Sequence, residues 1–222
     1  MKGIYYLFIG FLFIACIKEK EQDNIERFRY SRDFSVSDSL GIPKDKRTLY
    51  FPDSMYNYKP ADSILFFVRY ENKGWSSLLY IAREPVLYNF YLKKDIYRFS
   101  WSRAFHEPII ISLIKENNKV MIQWKKIRLG DGRIQYIEDG STFQKKDLSL
   151  DCWAHFEKIL DEAHYWEMLP YYSIIGLDGS TWIIEAHLED KYWFVNRWAP
   201  RDNFQKCGMY LIELSGLKEE IY

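Results

Sequence analysis

Glu185 is the carboxylate of this 222-residue chain best placed to do chemistry. In the run Trp182, Ile183, Ile184, Glu185, Ala186, His187 the side chains alternate, so Ile183, Glu185 and His187 share one face of a strand. A general acid or a metal site would need a second group to converge on that face. The candidates are Asp178, seven residues upstream in a D-G turn, and His106, beside Glu107 and Pro108. Glu185 with Asp178 or a histidine would make a small hydrolase. A plainer reading competes with it. If a three-residue loop of Glu189, Asp190 and Lys191 closes the hairpin, Arg197 lies on the Glu185 face one diagonal step away, and the two form a cross-strand ion pair while Asp178 only makes the turn. A two-residue loop would separate them.

Other chemistry finds little support. His106, His155, His164 and His187 do not stand at metal-ligand spacing, and nothing resembles H-E-x-x-H, G-x-S-x-G, a P-loop or G-x-G-x-x-G. No cofactor and no metal are expected. Cys152 and Cys207 could pair outside the cytosol, but without a C-x-x-C pattern the reading taken is two independent small core residues.

Cys16 is a different matter. Met1 and Lys2 lead into an apolar run over residues 3–15, then Cys16, then Lys18, Glu19, Lys20 and Glu21. Roughly a dozen apolar residues are too few to span a bilayer, which takes about 20 in a helix, so the run reads as an export signal. Phe13, Ile14, Ala15 and Cys16 resemble a bacterial lipobox, whose cysteine becomes the lipidated first residue; Phe13 stands where Leu is usual. Acyl chains on Cys16 would tether the protein without making it integral. Ile17 is not the Asp of inner-membrane retention in Gram-negative lipoproteins, so the outer membrane is favoured.

Composition narrows the partners. The 31 basic and 31 acidic residues cancel, and loss of Lys2 with the signal leaves 30 against 31. Nucleic acid is therefore excluded, because phosphate binding needs a basic surplus on one face. Aromatic content of 18 % is high enough to fill a β-rich core, and Tyr and Trp also suit surfaces that recognise protein or glycan.

These residues need elements to position them. Residues 1–15 are the signal, 16–45 the lipidated cysteine and a flexible polar tether, and 46–222 a single domain. Runs at 64–70, 78–82, 86–91 and 96–101 read as strands separated by turns. Residues 109–114 are apolar except for Ser112, a central strand buried on both faces; E-N-N-K turns the chain into 120–125, and Gly130, Asp131 and Gly132 turn it into 133–137, which Asp139 and Gly140 end. Ser149 caps an amphipathic helix over 150–169 with Trp153, Phe156, Leu160, Ala163 and Glu167 inward, ended by Pro170. The hairpin of Glu185 follows, and Asp202 or Asn203 caps a last helix with Phe204, Cys207 and Leu211 inward and Gly216 near its end.

The pattern L-D-G-S-T-W-I-I-E, a short turn, then Tyr192 and N-R-W-A-P through Pro200 resembles an uncharacterised family of bacterial proteins, many of them secreted or lipoproteins. The likeness extends through the helix at 150–169 and more weakly to 97–108, and it implies a shared fold without an activity. The expected fold is α+β: a mainly antiparallel sheet with two C-terminal helices packed on it. The expected function is a membrane-anchored envelope lipoprotein that binds a protein or glycan partner without catalysis, with the Glu185 hydrolase as the alternative.

Overall fold

The computed structural model describes residues 29–52, 62–130, 133–135, 143–171 and 178–221. In chain order the elements are α1 (Asp62–Ile81), β1 (Asp95–Arg103), β2 (His106–Glu116), β3 (Lys119–Lys126), β4 (Arg128–Gly130), β5 (Arg133–Gln135), β6 (Phe143–Leu148), α2 (Leu150–Glu162), a 3-10 turn (Tyr165–Glu167), β7 (Ser180–His187), β8 (Tyr192–Trp198) and α3 (Asn203–Ser215). Six strands form one sheet in the order β6-β3-β2-β1-β7-β8, antiparallel at every step, and β4 pairs with β5 alone. This is the expected α+β fold, with α2 and α3 lying on the sheet.

Each strand sends alternate side chains to opposite faces, and here both faces are covered. On one face Phe99, Trp101, Ile111, Trp182 and Val195 meet Trp153, Phe156 and Leu160 of α2 and Phe204, Cys207 and Leu211 of α3. On the other, Ile96, Ile110, Ile183, Tyr192 and Phe194 meet Tyr50, Phe51, Trp75, Leu79, Val86 and Leu87. The aromatic residues are largely this core, with Trp75, Trp101, Trp153, Trp182 and Trp193 all buried. β2, apolar from Ile109 to Ile114 but for the buried Ser112, runs through the middle as its composition predicts. Its hairpin to β3 turns on Asn117 (φ 48°) and Asn118 (φ 61°), the left-handed pair that Asn tolerates best after Gly.

The second layer departs from expectation. Residues 64–70 and 78–82 are not strands but parts of the helix α1. Its buried stripe is Val68, Asn72, Trp75, Ser76 and Leu79, spaced by three and four, and two of the five are polar. Those two serve the neighbouring chain: Asn72 donates to the Phe51 carbonyl at 3.1 Å, and the Ser76 hydroxyl accepts from the Tyr50 N–H at 3.0 Å. The helical period was thus hidden by core positions that carry hydrogen bonds in place of apolar bulk.

Residues 86–91 are buried turns, not a strand, and the reason is the segment before them. Residues 29–45, expected as tether, are built into the domain. The N–H groups of Ser31 and Arg32 donate to Tyr88 and Asn89, and that of Val86 to Gly41. The buried Asn89 side chain accepts from Ser31 Oγ and Asp33 N and donates to Asp33 O and Ser37 Oγ, all at 2.7–2.8 Å. A side-chain amide doing the work of a paired strand leaves no β signature in the sequence.

Two smaller differences remain. The helix at 150–169 ends at Glu162, where His164 turns left-handed (φ 52°). The break lets Tyr165 enter the sheet, donating from its hydroxyl to the carbonyls of Ile184 and Trp193 at 2.9 and 3.2 Å, while Glu167 is exposed. β6 was not foreseen because its middle, Gln144 to Asp147, is polar and exposed, the mark of a protected edge. The signal, Cys16, the turn at 131–132 and the strand end at 136–140 lie outside the described residues.

Candidate functional site

Glu185 sits in the centre of the β7 strand, directly opposite Arg98 on β1. Both side chains are fully buried, and Arg98 Nε lies 2.5 Å from Glu185 Oε2. The Tyr192 hydroxyl donates to the other carboxylate oxygen at 2.9 Å from a diagonal position on β8. Arg98 Nη1 donates to the Pro85 carbonyl at 2.8 Å and lies 3.5 Å from Glu84, and Lys125 meets the second Glu84 oxygen at 2.8 Å. Two cations and two carboxylates therefore neutralise one another inside the face that α1 covers. Burial pushes the Glu185 carboxyl above the usual range, with Arg98 and Tyr192 pulling against it. Burial works against the Arg98 charge, but Glu185 and Glu84 outweigh it and hold its pKa above that of a free guanidinium.

This geometry separates the residues that the hydrolase reading would join. Glu185 has no exposed surface, so no substrate reaches it. Asp178 occupies an exposed turn in the left-handed region (φ 56°), seven residues away, about 23 Å along an extended strand. His106 is level with the Asp178 end of the sheet, because Arg103 pairs with both His106 and Ser180, and its Nε2 lies 3.8 Å from Glu220. The three do not converge. The Glu185–Arg197 pair does not form either. Leu188 and Lys191 exchange backbone hydrogen bonds, leaving the two-residue loop Glu189–Asp190, which sets Trp182 opposite Arg197. Arg197 is thereby on the other face, donating to the Leu169 and Asn196 carbonyls at 3.0 and 2.7 Å.

His187 is the remaining titratable group of the strand, also fully buried. Its Nε2 accepts from the Leu92 N–H at 3.1 Å, which fixes the neutral ring with its proton on Nδ1, aimed at the Leu87 carbonyl 2.7 Å away. Tyr30 closes over it, with its hydroxyl 3.0 Å from Nδ1 and donating to the Leu188 carbonyl at 2.6 Å. Burial pushes the imidazole down to about 4.

Glu71, on α1, does not stand out in the sequence because it follows the run at 64–70 and falls in the stretch that reads as a turn before 78–82. Asn196, Trp75, Thr181 and Tyr171 all hydrogen-bond its carboxyl, tying α1 to the β7–β8 hairpin; burial nonetheless pushes it up. The same burial, with Glu71 beside it, pushes the Tyr171 hydroxyl up to about 12. With four partners this carboxyl is a clamp. Among the described residues no group of three or more His, Cys, Asp or Glu could hold a metal ion, and Cys152 and Cys207 are free thiols.

Exposed apolar side chains occur along the described chain, Tyr70 and Phe105 among them, but three fall close together. Phe34, Leu40 and Ile42 are 64 %, 69 % and 57 % exposed, within nine residues of one loop. The loop has a fixed shape: Asp33 accepts from Ser35 N, Asp38 from Leu40 N and Ile42 N, and Asp45 from Arg47 N, at 2.6–2.9 Å. Three Asp residues each followed two positions later by a bonded N–H are a legible turn signal, and they could have marked this segment as built. No family model, no curated protein and no solved structure matches the chain.

Proposed function

We propose that this chain is a lipid-anchored protein of the bacterial cell envelope, held at Cys16, whose folded part is a binding module for a protein or glycan partner. The observation that carries the non-catalytic half is the burial of Glu185: the carboxylate best suited to catalysis is spent on Arg98 and Tyr192 in the core. The anchoring half rests on the apolar run ending at Cys16 and on the absence of Asp at position 17, which favours the outer membrane. The resemblance of residues 177–200 to bacterial secreted proteins and lipoproteins points the same way. Two measurements test the reading. Labelled fatty acid should enter the wild-type protein and not Cys16→Ala, and uptake by the variant would remove the anchor. Crosslinking in intact cells should return one partner at stoichiometric yield, and a substrate screen of the folded wild-type protein should return no hydrolytic activity.

A further inference from the structure

We propose that the loop 33–43 is a contact with an anionic phospholipid bilayer, the same membrane that the anchor holds. Phe34, Leu40 and Ile42 enter the boundary between headgroups and acyl chains, and Arg29, Arg32 and Lys44 meet the phosphates. The inference rests on the proposed lipidation of Cys16 only for where the loop is delivered.

The loop presents its apolar side chains by construction. Gly41 is buried, and a Cβ there would stand 2.8 Å from Pro85 Cβ and 3.1 Å from the Val86 carbonyl, so the loop backs onto the domain. The residues on either side of it, Leu40 and Ile42, are exposed. Phe34 leans on Phe90 with ring centroids 4.6 Å apart, which holds its ring outward. Exposed apolar side chains on so rigid a loop mark a contact surface.

Charge names the occupant. Between Arg29 and Thr48 the sequence carries five cations, all exposed, against three carboxylates, in a chain whose totals cancel. Each of the three, Asp33, Asp38 and Asp45, bonds loop N–H groups, whereas Arg29, Arg32, Lys44, Lys46 and Arg47 flank the apolar residues in sequence. Large apolar side chains bordered by Arg and Lys are the composition of an interfacial membrane segment. Position agrees: Arg29 follows Cys16 by 13 residues, which reach about 45 Å at full extension. The Tyr30 hydroxyl donates to the Leu188 carbonyl, so the described chain is fastened to the domain three residues before the loop begins.

The test uses the full-length acylated protein in vesicles of mixed zwitterionic and anionic phospholipid, read by backbone hydrogen–deuterium exchange. Exchange over 34–42 should slow by about tenfold or more, the equilibrium worth of one well-buried apolar side chain. The slowing should weaken in purely zwitterionic vesicles and vanish in the Phe34→Ser, Leu40→Ser, Ile42→Ser triple variant, whose substitutions are at exposed positions. No slowing, with fatty acid present on Cys16, overturns the bilayer contact and leaves the anchor standing. Slowing of equal size without vesicles at the same protein concentration also overturns it, and assigns the loop to a second copy. Slowing on vesicles with no fatty acid on Cys16 supports the contact and removes the anchor.

Discussion

The two faces of the central sheet are built by opposite means. Under α2 and α3 the contact is apolar: Phe99 stacks on Trp101 and both meet Trp182 at a tilt, with centroids 5.1–6.1 Å apart, and α3 comes so close that a Cβ on Gly208 would stand 2.3 Å from the Trp182 ring. Under α1 and residues 29–52, apolar groups share the space with Arg98, Glu185, Glu84, Lys125, His187 and Asn89, nearly every one with a named partner. Packing of the first kind depends on shape and of the second on pairing. The covering segments explain the difference. The helices α2 and α3 bring apolar stripes, whereas on the other face α1 is joined by irregular segments at 29–52 and 82–92, which bring unpaired backbone groups that buried polar side chains must satisfy.

The comparison breaks first at the charge pair. Glu185→Leu should cost about 3–5 kcal/mol by leaving Arg98 buried without its carboxylate, and Arg98→Met with Glu185→Leu should recover much of that loss. Urea unfolding of the two singles and the double tests it, and simple additivity would mean the pair is not coupled. Next comes His187. Its folded pKa, near 4, is below the unfolded value near 6.5, so below pH 6.5 the unfolded chain takes up a proton that the folded chain refuses. Stability should be full above about pH 6.5 and fall by about 3 kcal/mol as pH drops to 4, the equivalent of the shift. Glu71, whose pKa is raised, works with the opposite sign, favouring the folded state at low pH. The difference in urea midpoint between wild type and His187→Gln across that window isolates the histidine; a pH-independent difference would refute it.

The apolar face is probed by Gly208→Ala, which removes a flexible residue from a helix yet should destabilise by about 1–3 kcal/mol, because the added methyl meets Trp182. A rise in melting temperature would show that Trp182 moves aside freely. The smallest effect belongs to a helix end that both faces leave alone. Asp202 accepts from the Phe204 N–H at 3.0 Å, and Asp202→Ala should cost about 1 kcal/mol. Thermal melts of this variant set the scale for the others.

Legibility followed the same division. The α2 and α3 helices, the β1–β3 meander and the β7–β8 hairpin could be read from apolar period and turn residues, since Trp153, Phe156 and Leu160 or Phe204, Cys207 and Leu211 fall on one helical face by spacing alone. The candidate site was legible as a strand face and misread as a partnership: Ile183, Glu185 and His187 do share a face, but Glu185 pairs with Arg98, 87 residues away. α1 was lost because Asn72 and Ser76 occupy core positions, and residues 29–45 because their bonds run to Asn89 and Tyr88.

Sequence by itself determined whatever depends on neighbours within a few residues: the strand alternation of β7, the N-cap at Asp202, the Asn117–Asn118 turn, the apolar run into Cys16. Tertiary structure alone decided which charges meet, because a hairpin register that moves by one residue exchanges the faces. The choice of a two-residue loop at Glu189 and Asp190 sent Arg197 to α3 and left Glu185 to Arg98. Local propensity scarcely distinguishes those two loops. The burial of both faces does, since only this register puts Trp182, Ile184 and Val195 against the helices and Ile183, Glu185 and Phe194 against the paired polar layer.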